Sequence, residues 1–200
     1  MTGGSVPPGQ GGRLPRARKS LGQNFLVDVN IQRKIVDAIS PGPSDTIMEI
    51  GPGPGALTQH LAGRAGRLVL VELDNHLAAR LATLYAEDAS VQVIHRDVLR
   101  VPLEEVTPDP ASLKVIGNIP YNITTPIIFS LLERRPRPRE IVLMVQREVA
   151  DRILAPEGGK SYGALAVGVR AVADVQRVLN VSRTAFVPPP PTPTTLMTAR

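Results

Sequence analysis

Residues Glu49 to Leu57 read EIGPGPGAL. The stretch closes an apolar run, TIMEIG from Thr46, and opens ALTQHLAGR, whose spacing is helical. Gly51, Gly53 and Gly55 let the backbone turn sharply and approach a ligand with no Cβ in the way. Three readings fit. One is a tight strand-to-helix turn with nothing bound. Another is a dinucleotide loop, because Gly51, Gly53 and Ala56 satisfy G-x-G-x-x-[GA]. The third is an S-adenosylmethionine loop of the form E-x-G-x-G-x-G, which Glu49, Gly51, Gly53 and Gly55 fill. Pro52 and Pro54 lack the amides a pyrophosphate would need, which favours the third.

Working outward, DVNIQRKIVDAIS upstream reads as a helix with Ile31, Ile35, Val36 and Ile39 on one face, capped by Asp28 or Asn30. Downstream come the apolar strand RLVLVEL and the helix NHLAARLATLY, with Leu77, Leu81 and Leu84 inward. VQVIHRD, KVIGNIP, EIVLMVQ and VQRVLNV read as further strands. TPIIFSLLER, REVADRIL and GALAVGVRAVA read as helices. Strands that alternate with helices specify an α/β fold with a mainly parallel sheet covered on both faces. Ligands of such sheets sit at the carboxyl ends of the strands.

The 200 residues suit one α/β domain, and 42% hydrophobic residues supply its core. Aromatics are only 3%, so that core is aliphatic. There is no cysteine, which excludes disulfides and thiolate metal sites. The histidines His60, His76 and His95 show no metal-ligand spacing. Apolar runs are strand-sized, far short of a membrane span, so the expectation is a soluble, cytoplasmic monomer. The net charge of +5 is concentrated in a Gly/Pro-rich leader carrying Arg13, Arg16, Arg18 and Lys19 and no acid. Residues 1–17 read as a disordered basic tail, suited to a phosphate backbone or to solubility alone, and 18–200 as the folded domain. Arg134, Arg135, Arg137 and Arg139 form a second basic cluster. EGGKS at Glu157–Ser161 resembles a phosphate loop, but its first glycine would have to stand at Leu154.

The strand ends carry the chemistry. Glu72 closes the second strand 21 residues after Gly51, where a carboxylate can accept from two ribose hydroxyls. Asp97 closes the third, where an acid can hold an adenine amino group. The fourth ends Asn118-Ile119-Pro120-Tyr121. The amino group of an aromatic base is a poor nucleophile, because its lone pair is delocalised into the ring. Two acceptors aimed at its hydrogens favour a more tetrahedral nitrogen. The Asn118 side-chain oxygen is one, and the Pro120 carbonyl, fixed by the ring, is read as the other. Tyr121 can stack on a flipped base, a task that uses only its ring. A packed strand-to-helix turn is the bland alternative, and the ordered Glu72 and Asp97 tell against it.

KSLGQNFLVD, EIGPGPGALT, VELD, GNIPYNITTPI, LMVQREVADRI and YGALAVGV occur in this order. Together they resemble the small-subunit ribosomal RNA adenine dimethyltransferase family, whose cousins are the macrolide-resistance methyltransferases of large-subunit rRNA. The resemblance spans Arg18 to about Pro190. It implies a Rossmann-like class I S-adenosylmethionine-dependent methyltransferase fold with a seven-stranded, mainly parallel sheet. It also implies that Gln23, Asn24 and Leu26 close over the methionine end of the donor, that Gly51 and Gly53 line it, that Glu72 with Leu73 holds the ribose, and that Asp97 with Val98 holds the adenine. Asn118, Pro120 and Tyr121 would act on the target adenine, with Asn118 also facing the donor and Phe186 of AFVPPP as a second stacking aromatic. The implied reaction places four methyls on N6 of two adjacent adenosines near the 3′ end of 16S rRNA in the assembling 30S subunit.

The C-terminus departs from this pattern. Pro191 stands at a basic position, and TPTTLMTAR follows where the family continues into a helical domain of roughly 70 residues. The expectation is that this domain is absent, and that TTLMTA supplies the last strand, pairing only after Pro193. Two alternatives remain at this point: an rRNA-binding assembly factor with little turnover, and a methyltransferase of the macrolide-resistance type.

Overall fold

The computed structural model describes residues 14–200. Most of the basic leader, including Arg13, therefore lies outside the described residues. In chain order the elements are β1 (Phe25–Leu26), α1 (Val29–Ile39), β2 (Thr46–Ile50), α2 (Thr58–Leu61), β3 (Arg67–Glu72), α3 (Asn75–Leu84), β4 (Val91–His95), α4 (Leu103–Val106), β5 (Lys114–Asn118), α5 (Thr124–Glu133), β6 (Glu140–Gln146), α6 (Arg147–Ile153), α7 (Ala164–Arg170), β7 (Val175–Val181), β8 (Phe186–Val187) and β9 (Thr194–Ala199). Seven strands form one sheet in the order β4-β3-β2-β5-β6-β9-β7. Only β9 runs antiparallel to its neighbours, slotted between β6 and β7 and starting directly after Pro193. The short β1 and β8 pair with each other outside the main sheet.

The alternation of each strand sends side chains to two cores. Met48, Ile50, Val69, Val71, Val115, Leu143 and Met197 pack under α5, α6 and α7. Ile47, Leu68, Leu70, Ile116, Val142 and Leu196 pack under α1, α2 and α3 on the other face. Strands buried on both faces explain their nearly continuous apolar composition. Each such side chain contributes roughly 1.5–3 kcal/mol. Asp28 caps α1, accepting from the amides of Asn30 and Ile31 at 2.9 and 3.1 Å. The helix expected from Ala56 is a single turn, because Gly63 at φ 76° ends it early.

The second basic cluster is part of the fold. Arg134 donates to the carbonyls of Val101 and Ser130 at 2.7 and 3.1 Å. Arg135 donates to the Leu132 carbonyl at 3.0 Å, and Arg137 to that of Val172. Arg139 reaches Asp45 at 3.2 Å. The bonds to Ser130 and Leu132 tie down carbonyls at the C-terminus of α5, and the others link this segment to neighbouring turns. They stand at the edge of the sheet where β6 begins, opposite the carboxyl ends of the parallel strands.

Candidate functional site

β2 lies between β3 on one side and β5 on the other, so the strand order reverses beside it. At this point the carboxyl ends of β2, β3, β4 and β5 open on a crevice of about 980 Å³, part of it solvent. The glycine loop forms its floor, with Gly51, Gly53 and Gly55 at φ 62°, 58° and 95°. At Gly117 a Cβ would stand 2.8 Å from the Ile50 carbonyl oxygen, so β5 can approach β2 this closely only with glycine there.

The loop's own hydrogen bonds decide what it can bind. The Gly51 amide donates to the Val71 carbonyl, and that of Gly55 to the Pro52 carbonyl, both at 2.9 Å. The Gly53 amide donates to Glu72 Oε2 at 2.9 Å. Pro52 and Pro54 have no amide. Residues 51–55 thus offer no free N–H to a phosphate, and the dinucleotide reading fails on this point.

Glu72 is buried. Its second oxygen accepts from the Asp74 amide at 2.8 Å, and each oxygen keeps a further lone pair. Burial pushes its pKa up, against the pull of the Asp74, Gly53 and Leu73 amides. Leu73, half exposed, and Val98 flank the same wall, with Asp97 between β4 and the next turn. Asp97 Oδ1 accepts from the Leu99 amide at 3.0 Å. Glu49 lies deeper, fully buried, with Thr58 Oγ1 donating to it at 2.7 Å. Burial, reinforced by the charge of Glu72 and opposed by the Thr58 bond, pushes the Glu49 pKa up to about 8.

Residues 18–26 cross the crevice as a strap. Arg18 Nε and Gln23 Nε2 both reach Asp74 Oδ2 at 3.3 Å, and the Arg18 amide donates to Gln23 Oε1 at 2.8 Å. Asp74 also caps α3, accepting from the His76 amide at 2.9 Å. The far end of the strap is held by buried Gln32, which donates to the Leu26 carbonyl at 3.0 Å and accepts from Gln59 at 3.2 Å. Gln23, Asn24 and Leu26 all line the crevice, as does Phe25, whose ring packs against Gly53.

Asn118 Nδ2 donates to the Asn24 carbonyl at 3.0 Å. That bond orients the amide and leaves Oδ1 free among the described residues. Tyr121, half-buried, lines the crevice beside it, and its hydroxyl shares a 2.5 Å hydrogen bond with Thr194 Oγ1. Burial, partly offset by that bond and by Arg183, raises the pKa of the phenol.

Two expectations are corrected. The Pro120 carbonyl accepts from the Ile123 amide and from Thr124 Oγ1, both at 3.2 Å, so its two lone pairs are occupied. The neighbouring Ile119 carbonyl accepts none among the described residues, and Ile119 lines the crevice. Phe186 is 2% exposed, paired with Leu26 across β1 and β8 in the core under α1, and does not line the crevice. The remaining expected residues, from Gln23 to Tyr121, converge on one cavity. Sequence reasoning missed Phe25, Gln32, Asp74 and Thr194 as parts of the site. Only Asp74 carried a signal, as an acid directly before a helix.

The model of the ribosomal RNA adenine dimethylase family matches residues 15–198. Ribosomal RNA small subunit methyltransferase A of Moorella thermoacetica is 48% identical over 181 residues, covering 86% of this chain and 63% of its own length. A dimethyladenosine transferase from Plasmodium falciparum superposes with TM-score 0.77 at 31% identity, over 88% of this chain and 62% of that one. The 23S rRNA methyltransferase ErmE superposes with TM-score 0.77 at 29% identity, over 88% and 69%. The chain spans about three-fifths of the length of the curated relatives it matches. With the family model matching nearly the whole of its length, the chain belongs to the ribosomal RNA adenine dimethylase family.

Proposed function

We propose that the chain uses S-adenosylmethionine to dimethylate N6 of two adjacent adenosines near the 3′ end of 16S rRNA, in the small subunit during its assembly. The observation that carries this is Asn118: its nitrogen is held by the Asn24 carbonyl, so its oxygen is a preset acceptor beside Tyr121. The small-subunit target is favoured over the large because a relative at 48% identity carries that name.

The residues present fit the donor. Each Glu72 oxygen keeps a lone pair for one of two adjacent hydroxyls, Asp97 keeps an oxygen for an amino group, and Leu73 and Val98 offer apolar surface to a flat ring. Gly51 and Gly53 give a floor without side chains. Gln23, Asn24 and Leu26 shield the other end from water. When bound, the donor supplies an electrophilic methyl on a sulfonium.

The chain's own part is positioning. In the first transfer Asn118 Oδ1 and the Ile119 carbonyl accept from the two hydrogens of the target amine and hold its lone pair towards the methyl; in the second the monomethylated amine has one hydrogen left, and one of the two acceptors takes it. Tyr121 stacks on the base, and the displaced proton leaves to solvent. Phe186 supports β1 beneath the strap. Every group in the site comes from one chain, so a monomer suffices. No described helix is long and apolar enough to cross a membrane, and ribosome assembly would place the protein in the cytoplasm.

Tritiated-methyl transfer to purified small subunits, run beside naked 16S rRNA, tests the reading. Label in rRNA is expected with the wild-type chain. No label in either substrate, with donor still bound, would turn the reading to an rRNA-binding factor without turnover.

A further inference from the structure

We infer that Thr194 is a positioning residue for methyl transfer, holding the Tyr121 ring in place from the start of β9. The inference rests on the methyl-transfer reading above. Tyr121 follows β5 on a loop and would be free to swing about its side-chain torsions. Its hydroxyl instead meets Thr194 Oγ1 at 2.5 Å. Thr194 is fully buried and is the first residue of β9. Its backbone is fixed on both sides, by register with Gln146 on β6 and Val181 on β7. The preceding segment is braced too. The Arg147 amide donates to the Pro193 carbonyl at 2.9 Å, and Arg183 Nε to the Pro190 carbonyl at 2.5 Å. Prolines at 188, 189, 190, 191 and 193 add fixed φ angles.

The aromatic ring is therefore held at both ends, at its Cα by the loop and at its oxygen by the first residue of β9. A ring so held presents its face to an incoming base without first being ordered. That saves conformational entropy in the complex, and the hydroxyl takes part although stacking uses only the ring. The proline-rich segment, which forms no helix or strand from 188 to 193, thereby acquires a task. It delivers one hydroxyl to Tyr121.

The test uses Thr194→Val, which keeps the shape and removes the hydroxyl, Thr194→Ser, which keeps the hydroxyl, and Tyr121→Phe. In Thr194→Val, kcat for methyl transfer to small-subunit rRNA should fall about 5–20-fold, the loss of one hydrogen bond. Donor affinity should stay within about two-fold, since the donor does not touch that bond, and so should KM, since rRNA docks through its other contacts before the target base reaches the ring. Thr194→Ser should restore kcat. Tyr121→Phe should match Thr194→Val, and the double variant should be no slower than either single. The ζ-carbon resonance of Tyr121, assigned by its loss in Tyr121→Phe, should move in Thr194→Val and stay put in Thr194→Ser. That reading needs no turnover, so a wild-type chain that transfers no methyl would fail the functional proposal while the resonance still decided the contact. Full kcat in Thr194→Val, multiplying defects in the double variant, or an unmoved resonance would each overturn the inference. If Thr194→Val does not fold, Tyr121→Phe with wild-type kcat overturns it equally.

Discussion

Glu49 and Glu72 show how burial redirects a carboxylate. Both face the crevice, yet Glu72 spends one lone pair on the Gly53 amide and another on Asp74, so it shapes the loop as well as offering hydroxyl acceptors. Glu72→Ala should therefore weaken donor binding by about 1.5–3 kcal/mol and also loosen the loop, while Glu72→Gln should lose less, as calorimetry would show. Glu49 is the deeper group, with its pKa pushed up to about 8 from 4.5. A raised carboxyl pKa means the folded state binds the proton more tightly than the unfolded chain. Its contribution to stability is full below pH 4.5 and is lost as the pH rises through about 8. Glu49→Gln stays neutral and can still accept from Thr58. Its melting temperature should rise relative to wild type between these limits and level off above them. A pH-independent difference in thermal melts would contradict that. That Glu72, Asp97, Asn118 and Tyr121 meet at one crevice was legible from order and strand ends alone. The choice between the Pro120 and Ile119 carbonyls was not, because it depends on where the first turn of α5 places its donors, Ile123 and Thr124.

Among the elements, the strap crosses the crevice and is anchored on Asp74, Gln32 and Asn118. Asp74 serves two tasks, the cap of α3 and the anchor of Arg18 and Gln23. Asp74→Asn keeps a good cap and removes the charge. Donor affinity should fall about 2–10-fold with little change in melting temperature. Loss of stability without loss of affinity would mean the strap does not depend on that ion pair. The main strands were readable because residues buried on both faces give unbroken apolar runs, as in RLVLVE and EIVLMVQ. β1 and β8 were not, since two-residue strands carry no periodicity and exist only through tertiary pairing. Phe186 shows the consequence: its motif reads as a second stacking aromatic, but pairing of β8 with β1 turns it into the core.

For the whole molecule, the second basic cluster belongs to the scaffold. The arginines from 134 to 139 stand opposite the crevice, engaged with carbonyls and Asp45. Arg134→Gln should lower the melting temperature by about 2–6 °C and leave rRNA affinity and its salt dependence unchanged. Asp45 anchors the same edge, where it also takes a 2.7 Å bond from buried Lys114. Burial alone would raise the Asp45 pKa, but the Lys114 bond, the Gly42 amide and the charges of Lys114 and Arg139 outweigh it and hold the pKa low. That stability is present above the unfolded-state pKa and is lost as the pH falls through the folded one. At the opposite end of the strands, the proposed function has the Asn118 oxygen accept from the amine to be methylated. Nucleoside mass spectrometry of small-subunit rRNA after incubation with the wild-type chain and S-adenosylmethionine should show N6,N6-dimethyladenosine. Asn118→Ala should show none while binding the donor within a few-fold of wild type. Dimethyladenosine at wild-type levels from Asn118→Ala would contradict the assignment of that oxygen to the reaction.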